Sequence, residues 1–585
     1  VVWTGASRVV ARDHNRFPAA GACDSVRRNR RGSDCSCTGQ FVSRAACGLE
    51  RSVALLVSLL PPCIIHEDEH LLVANKPAGW NTHAPAPYAG EGLYDWLRHR
   101  EPRWANLAII HRLDKETSGI IVFAKSALAC KELTSQFERH AIQKKYVFLT
   151  DKRPPKPEIT AVCCIVRAGE RYVCRPVHAG APVAETRFRL LGPASSPGLW
   201  RVEAVPMTGR THQIRAQAAE NGFPVLGDVL YGGKPAPRVC LHAMELSIKH
   251  PATGAPEKFC VPSDFEARPG RMLRAAFIVP DETNAFRLIN GASDGWPGVY
   301  VEKLGNYALV ESDRELPDGM AGRLLSETGC AGLYFKRLQR QLRQLNPGEA
   351  APKLVAGTPA PPRFEIRENG VAFTLSFQEG YSVGLFLDQR DNRRRFLTRH
   401  VAAGFPLYQT DSPEVLNTFS YTCGFSVCAA LSGARVTSVD LSQKYLAWGM
   451  ENFRLNKLEP DAHEFLRGDV FDWLKRLRKK GRRFDVVVLD PPTFSQSKTH
   501  GRFRAETDFG GLVEQALPLL KPCGVLLAST NAAALPAPDF VQTIQQAAAA
   551  GGRRIIQSHY APQPPDFPIS RAEPAYLKTI WARIE

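Results

Sequence analysis

From about Phe364 the chain alternates strand-like and helix-like segments, and few folds accept that alternation. Residues 415–419 read as a strand and 424–431 as a helix. Residues 435–440 read as a strand ending in Asp440, after which Leu446, Met450 and Phe453 mark one helix face. Residues 463–469, 485–490 and 525–529 supply further strands, with helical segments between them. A parallel, doubly wound α/β sheet is the predicted outcome. Ligands of such sheets bind beyond the carboxyl ends of the strands.

The chain before this region has another rhythm. From Ile64 it reads as short strands with few helices: strands at 71–75, 145–149 and 200–204, a helix at 126–140 with Ala129, Leu133 and Phe137 on one face, and a short helix at 212–220 stopped near Gly222. The expectation is α+β, mostly antiparallel sheet with peripheral helices. One stretch stands out: His111-Arg112-Leu113-Asp114-Lys115-Glu116-Thr117-Ser118-Gly119, running into the apolar 120–124. It holds a carboxylate on a tight loop between two cations, and loops on rigid scaffolds commonly carry chemistry. Alone, Asp114 would read as a surface carboxylate paired with Arg112 or Lys115. A distant stretch, Gly209-Arg210-Thr211-His212-Gln213-Ile214-Arg215, weighs against that reading.

Together the two stretches resemble the RluA-like family of RNA pseudouridine synthases. The resemblance runs from about Ile64 to Pro262 and includes Val73-Ala74-Asn75-Lys76-Pro77-Ala78-Gly79, Lys145-Tyr146, Leu226-Gly227-Asp228 with Tyr231, and Leu241-His242-Ala243. It implies isomerisation of uridine in RNA with no cofactor, no redox step and no metal. Asp114 would be the nucleophile. Arg215 would pair with it and keep it ionised, with Arg210 as rival. Tyr146 would stack on the target base and take part in proton transfer, and Ile214 would pack beneath it. Arg112 would enter the space left by the flipped base, or merely contact phosphate. His111 is read as ordering the loop.

Residues from about Thr283 to the end resemble class I S-adenosylmethionine-dependent methyltransferases, of the type acting on large-subunit ribosomal RNA at guanine N7 or cytosine C5. The carrying segments are Gly384-Leu385-Phe386-Leu387-Asp388-Gln389-Arg390-Asp391, Asn417-Thr418-Phe419-Ser420-Tyr421-Thr422, Asp490-Pro491-Pro492-Thr493-Phe494, and a tail including Pro564-Pro565-Asp566-Phe567-Pro568 and Glu573-Pro574-Ala575-Tyr576-Leu577-Lys578. The resemblance implies S-adenosylmethionine as cofactor, held by Asn417, Phe419, Ser420, Gly424, Asp440, Asp469 and Asp490. Asp440 would accept the ribose hydroxyls, and Asp469 would sit near the adenine amino group. Asp490, Pro491 and Pro492 would line the meeting point of cofactor and base, with Phe494 as a stacking face. The turn reads Thr422-Cys423-Gly424, where relatives often have glycine in place of Cys423. Cytosine-C5 methylation needs a cysteine thiolate that adds to the ring. Relatives carry it just after the fifth strand, where this chain has Ser529-Thr530-Asn531. With Thr493-Phe494-Ser495-Gln496-Ser497-Lys498, this favours guanine N7 over cytosine C5.

The 585 residues thus divide into a leader (1–60, disordered or artefactual), a synthase domain (61–265), a linker near 266–275, a small α+β RNA-binding domain (276–345), a second linker (346–363) and a methyltransferase domain (364–585). A formal net charge of +17 favours a polyanionic partner, RNA first. Basic runs at Lys336-Arg337 with Arg340 and Arg343, Arg393-Arg394-Arg395, and Lys475-Arg476 with Arg478-Lys479-Lys480 could grip phosphates or be plain solvated faces. No apolar run approaches about 20 residues, so no membrane span is expected. The 15 cysteines show no paired C-x-x-C clusters (Cys35 and Cys37, Cys163 and Cys164), which reads as free thiols and a cytoplasmic location. Two competing readings are an RNA-binding assembly factor with one inactive half, and a methyltransferase acting on DNA or protein.

Overall fold

The structure, a computed structural model, describes residues 60–178, 180, 182–338, 351–379, 382–497 and 501–585. Residues 1–59 of the expected leader, Arg340, Arg343, Lys498 and residues 346–350 of the expected second linker lie outside the described residues.

Among the described residues, three large sheets and three two-stranded ribbons carry the chain. The first has eleven strands, antiparallel throughout except where Ser118–Ala124 runs parallel to Leu241–Lys249. At that junction Gly119 faces Ala243, and a Cβ on residue 119 would lie 2.3 Å from the Ala243 carbonyl oxygen. With φ at +116°, only glycine fits there without strain, so the glycine closing the first motif fixes where its loop leaves the sheet. Ala127–Glu138 and Gln213–Glu220 are the flanking helices, the first capped by the Ser126 hydroxyl.

The second sheet has five strands in sequence order, from Ala285–Asn290 to Lys353–Gly357. The third has seven. Its order runs Glu464–Arg467, Arg435–Asp440, Glu414–Thr418, Phe484–Leu489, Leu520–Thr530, Lys578–Ile584, Ile555–Ala561. The first five are parallel and the last two antiparallel to their neighbours. Strand order reverses between Glu414–Thr418 and Phe484–Leu489, and a crevice is expected at such a switch point.

Three expectations need correction. The 266–275 linker is largely a helix, Pro269–Phe277, begun by Pro269 and held by buried Leu273, Arg274 and Phe277. The described part of the second linker contains the strand Lys353–Gly357, paired with Gly332–Arg337. Arg393, Arg394 and Arg395 neither grip phosphate nor face solvent. All three are buried in the helix Arg390–Leu397. Arg393 forks onto Glu368 (2.6 and 2.8 Å), and Arg394 reaches Glu101 (2.5 Å) and Glu282 (3.4 Å). Arg395 donates to the Val401 carbonyl (3.1 Å) and to His559 (3.2 Å).

These arginines join the two halves. The helix Leu93–Arg100 of the first half packs on Arg390–Leu397 of the second, where Trp96 donates to Asp391 (3.2 Å) and the rings of His99 and His559 lie 4.2 Å apart. His400 bonds the Arg98 carbonyl at 2.9 Å. Among the described residues no helix is long and apolar enough to cross a membrane.

Candidate active sites

The first site forms where the Asp114 loop meets the helix Gln213–Glu220. They enclose a cavity of about 470 Å³ lined by Arg112, Asp114, Tyr146, Arg210, Ile214 and Arg215, among others. Arg215 Nη1 lies 3.5 Å from the Asp114 carboxylate, so two segments a hundred residues apart do meet. Among the described residues, Arg215 is the guanidinium within ion-pair reach of Asp114; Arg210 is exposed on the rim. Arg215 is itself held by a bidentate pair with buried Asp228 (2.6 and 2.9 Å). Burial opposes its charge, but hydrogen bonding to Asp228, and the charges of Asp228 and Asp114, outweigh burial and raise its pKa.

The loop is fixed from below. Lys76 is fully buried and donates to the carbonyls of Pro77 (3.0 Å), Trp80 (2.7 Å) and Lys115 (3.2 Å). Burial pulls its pKa down to about 7. Thr82 Oγ1 donates to the Leu113 carbonyl (2.9 Å). His111 accepts the Val122 N–H (3.1 Å) and stacks on Phe137, and burial with Lys144 nearby drives its pKa to about 3. It is a neutral, structural histidine.

The second motif is pinned by Gln213. Its amide oxygen accepts from Thr208 and Arg210 N–H, and its nitrogen donates to the Glu185 carbonyl and Thr186. His212 takes a left-handed conformation (φ 56°), bonds Tyr231 at 2.8 Å and comes within 3.9 Å of Asp114. Tyr146 is half-buried, and burial, then the Asp114 charge, raise its pKa, so the hydroxyl stays protonated. Arg112 is exposed at the mouth, 3.4 Å from Thr211 Oγ1. Asp228 and Lys76 belong to motifs visible in the sequence, yet no sequence pattern showed that each is buried against its partner.

The second cavity, about 350 Å³, opens at the sheet's switch point and is lined by Phe386, Asp388, Gln389, Phe419, Tyr421, Asp440, Asp469, Asp490, Pro491, Pro492 and Phe503, among others. The chain after Glu414–Thr418 turns through three left-handed residues, Phe419, Tyr421 and Cys423 (φ 53°, 49° and 63°). The turn brings the Tyr421 N–H onto Asp440 (2.9 Å), which also accepts from Ser442 N–H (2.8 Å). Burial raises the Asp440 pKa against these bonds. Asp469 accepts the Phe471 N–H and caps the helix Val470–Lys479 at the cavity edge. Asp490 bonds Gln389 at 3.2 Å; burial, with the Asp388 charge adding, raises its pKa to about 7.

Not every expected residue lines this cavity. Asn417 is buried beneath it and donates to Ser426 (2.8 Å), and Ser420 is buried in the turn. Gly424 starts the helix Gly424–Leu431, where a Cβ would lie 2.9 Å from Leu385, so its smallness serves packing. Phe494 is not in the lining; Phe503, across the same hairpin, is. Cys423 is buried away from the cavity against Gly449, where a Cβ would fall 2.4 Å from its sulfur. Phe386 was given no role from sequence, yet its ring is 52% exposed at the mouth.

Residues 70–220 match the RNA pseudouridylate synthase family, and residues 331–583 match the S-adenosylmethionine-dependent methyltransferase family. The ribosomal RNA large subunit methyltransferase I of Klebsiella pneumoniae is 34% identical over 321 residues, covering 53% of this chain and 76% of that protein. That of Escherichia coli is 33% identical over 314 residues, covering 52% and 76%. The structure of human RNA pseudouridylate synthase domain containing 1 is 25% identical, covering 34% of this chain and 82% of that one, with a TM-score of 0.30. The chain therefore belongs to the S-adenosylmethionine-dependent methyltransferase family and carries, ahead of that domain, an RNA pseudouridylate synthase domain.

Proposed function

We propose that this protein modifies RNA at two bases, ribosomal RNA being the favoured substrate: it isomerises a uridine in the RluA-like manner and methylates a guanine at N7. The Asp114–Arg215 contact at 3.5 Å carries the first half. Asp114 attacks the ribose or the pyrimidine ring, the N1–C1′ bond breaks, C1′ rejoins at C5 as the bond to Asp114 breaks and frees the carboxylate, and the C5 proton is lost while N1 gains one. Tyr146, kept protonated, stacks on the base and is placed for that proton traffic. Ile214 supports the base from below, and Arg112 at the rim fills the gap it leaves.

For the second half the supporting observation is that no cysteine is among the described residues lining the cofactor cavity. Cytosine-C5 chemistry needs such a thiolate, whereas guanine N7 is already a nucleophile. S-adenosylmethionine held in the cavity would supply a methyl group to the N7 lone pair and would be released as S-adenosylhomocysteine. The product ring carries a positive charge, which Asp490 would stabilise in its ionised form, present as pH rises above about 7. Asp440 and Asp469 would hold the ribose and adenine of the cofactor, with Pro491 and Pro492 shaping the meeting point. The buried Cys423 leaves the cavity open, which favours an active methyltransferase over a decayed half. Homologues named for large-subunit ribosomal RNA methylation favour that RNA.

Nucleoside mass spectrometry of ribosomal RNA from cells with and without the gene tests this reading. One pseudouridine and one N7-methylguanosine should disappear together. Asp114→Asn should remove the pseudouridine to background and leave the methylguanosine. Loss of a methylcytidine instead would transfer the second activity to cytosine C5.

A further inference from the structure

Beside the cofactor cavity lies a smaller chamber of about 120 Å³, walled by the second sheet on one side and the segment Ser382–Asp388 on the other. The two share Phe386 and Asp388. Its volume holds about four waters, or one planar ring system. Glu302 and Glu311 reach it from neighbouring strands, Asp388 from the opposite wall, and Arg287 and Lys336 complete the charged lining.

Arg287 gives the chamber a polarity. It is 9% exposed, donates through Nη2 to Glu302 (2.8 Å), and lies over the ring of Phe567. Its Nε is buried with no hydrogen-bond partner, and a buried guanidinium N–H calls for an acceptor. Next to it stand carboxylates: Glu302 accepts from Arg287, Asp388 accepts from the Tyr576 hydroxyl (3.0 Å), and each keeps lone pairs for a further donor. A phosphate is unsuited to a chamber with three carboxylates and two cations. The half-exposed ring of Phe386, at the junction of the two spaces, is a surface on which a base can stack.

We propose that this chamber receives the base to be methylated, and that its lining reads guanine. Guanine presents one acceptor and two adjacent donors along its pairing edge: O6, N1–H and the 2-amino group. The Arg287 guanidinium can donate to O6, while Glu302 accepts from the 2-amino group and Asp388 from N1–H. Cytosine offers one donor and two acceptors, and its acceptors would face carboxylates. N7 is not on the pairing edge; it lies in the fused five-membered ring beside O6, so it stays free to face the cofactor cavity that adjoins the chamber. This inference rests on the methyl-transfer reading above and adds to it the group that selects the base.

The test uses the full chain and an RNA carrying the mapped target, with guanosine or inosine at that position. Inosine lacks only the 2-amino group and keeps N7. Wild-type kcat/KM should fall about tenfold to a hundredfold on inosine, because a charged acceptor loses one of its hydrogen bonds. In Glu302→Gln the rate on guanosine should fall, and the guanosine-to-inosine ratio should collapse toward one. S-adenosylmethionine binding by calorimetry and pseudouridine formation should stay at wild-type levels. Equal rates on the two RNAs by the wild type, or an unchanged ratio in the variant, would overturn the chamber's role while N7 methylation stands. A wild-type product methylated on cytosine would overturn the parent reading and this one with it. The wild-type comparison needs no variant, so it decides even where Glu302→Gln fails to fold.

Discussion

Asp114, Arg215 and Asp228 form a chain of charge in which buried Asp228 orients the cation that orients Asp114 in the cavity. Asp228→Asn keeps the shape but leaves Arg215, 4% exposed, with one carboxylate partner in place of two. Breaking a buried ion pair costs about 3–5 kcal/mol, so this variant should form pseudouridine at least about a hundredfold more slowly and methylate normally; a normal isomerisation rate would remove Asp228 from the site. Asp490 provides a pH signature. Its pKa is raised from the ordinary carboxylate range to about 7, so its neutral form is favoured by folding. The stability this gives is complete below about pH 4 and is lost as pH rises through 7. Asp490→Asn should therefore melt higher than the cofactor-free wild type at pH 8, by up to about 4 kcal/mol, with the gain vanishing near pH 4 while methyl transfer is lost. A gain that stays constant across that range would refute the buried-carboxylate account. At this scale the resemblance of two motifs marked Asp114 and Arg215 as candidates, and the fold brings that pair to 3.5 Å. Lys76 and Asp228 escaped assignment, since what they do depends on burial against partners far along the chain.

Elements built from local signals were legible. The helix Gly424–Leu431 and the strand Arg435–Asp440 stand where periodicity put them, because each has its own apolar pattern and its own stop. The segment Pro269–Phe277 read as linker because four of its nine residues are Pro, Gly or Arg; only packing by Leu273 and Phe277 makes it a helix. The run Arg393-Arg394-Arg395 misled for a related reason. Three adjacent cations look like a phosphate grip until their carboxylates, Glu368, Glu101 and Glu282, arrive from elsewhere. Glu101 is the one that crosses from the synthase half. Glu101→Ala should destabilise the protein by about 3–5 kcal/mol, since it strips a buried guanidinium of its closest partner. Adding Arg394→Met should restore part of that in chemical denaturation, because the stranded guanidinium is removed while Glu282 keeps its ion pair with Arg100 (4.0 Å). If the double variant is no more stable than the single one, the pair is not the fastening it looks to be.

The contacts between the helices Leu93–Arg100 and Arg390–Leu397 bear on the whole molecule, because the second helix begins one residue after Gln389, which bonds Asp490 in the methyl-transfer cavity. The charged partners of that helix come from both halves. Unfolding either half would leave buried arginines of the other without carboxylates, so the two domains should lose structure in one transition rather than two. Ligand linkage makes this measurable. S-adenosylmethionine at a hundred times its Kd stabilises whatever unfolds with its site by about 2.7 kcal/mol. If the halves unfold together, that stabilisation must also protect an active site that never touches the cofactor. The temperature at which pseudouridine formation is lost should then rise with added S-adenosylmethionine, in step with the calorimetric peak, and the shift should disappear in Glu101→Ala as the domains uncouple. A synthase activity whose heat loss ignores the cofactor would mean that the two catalysts share a chain and nothing more.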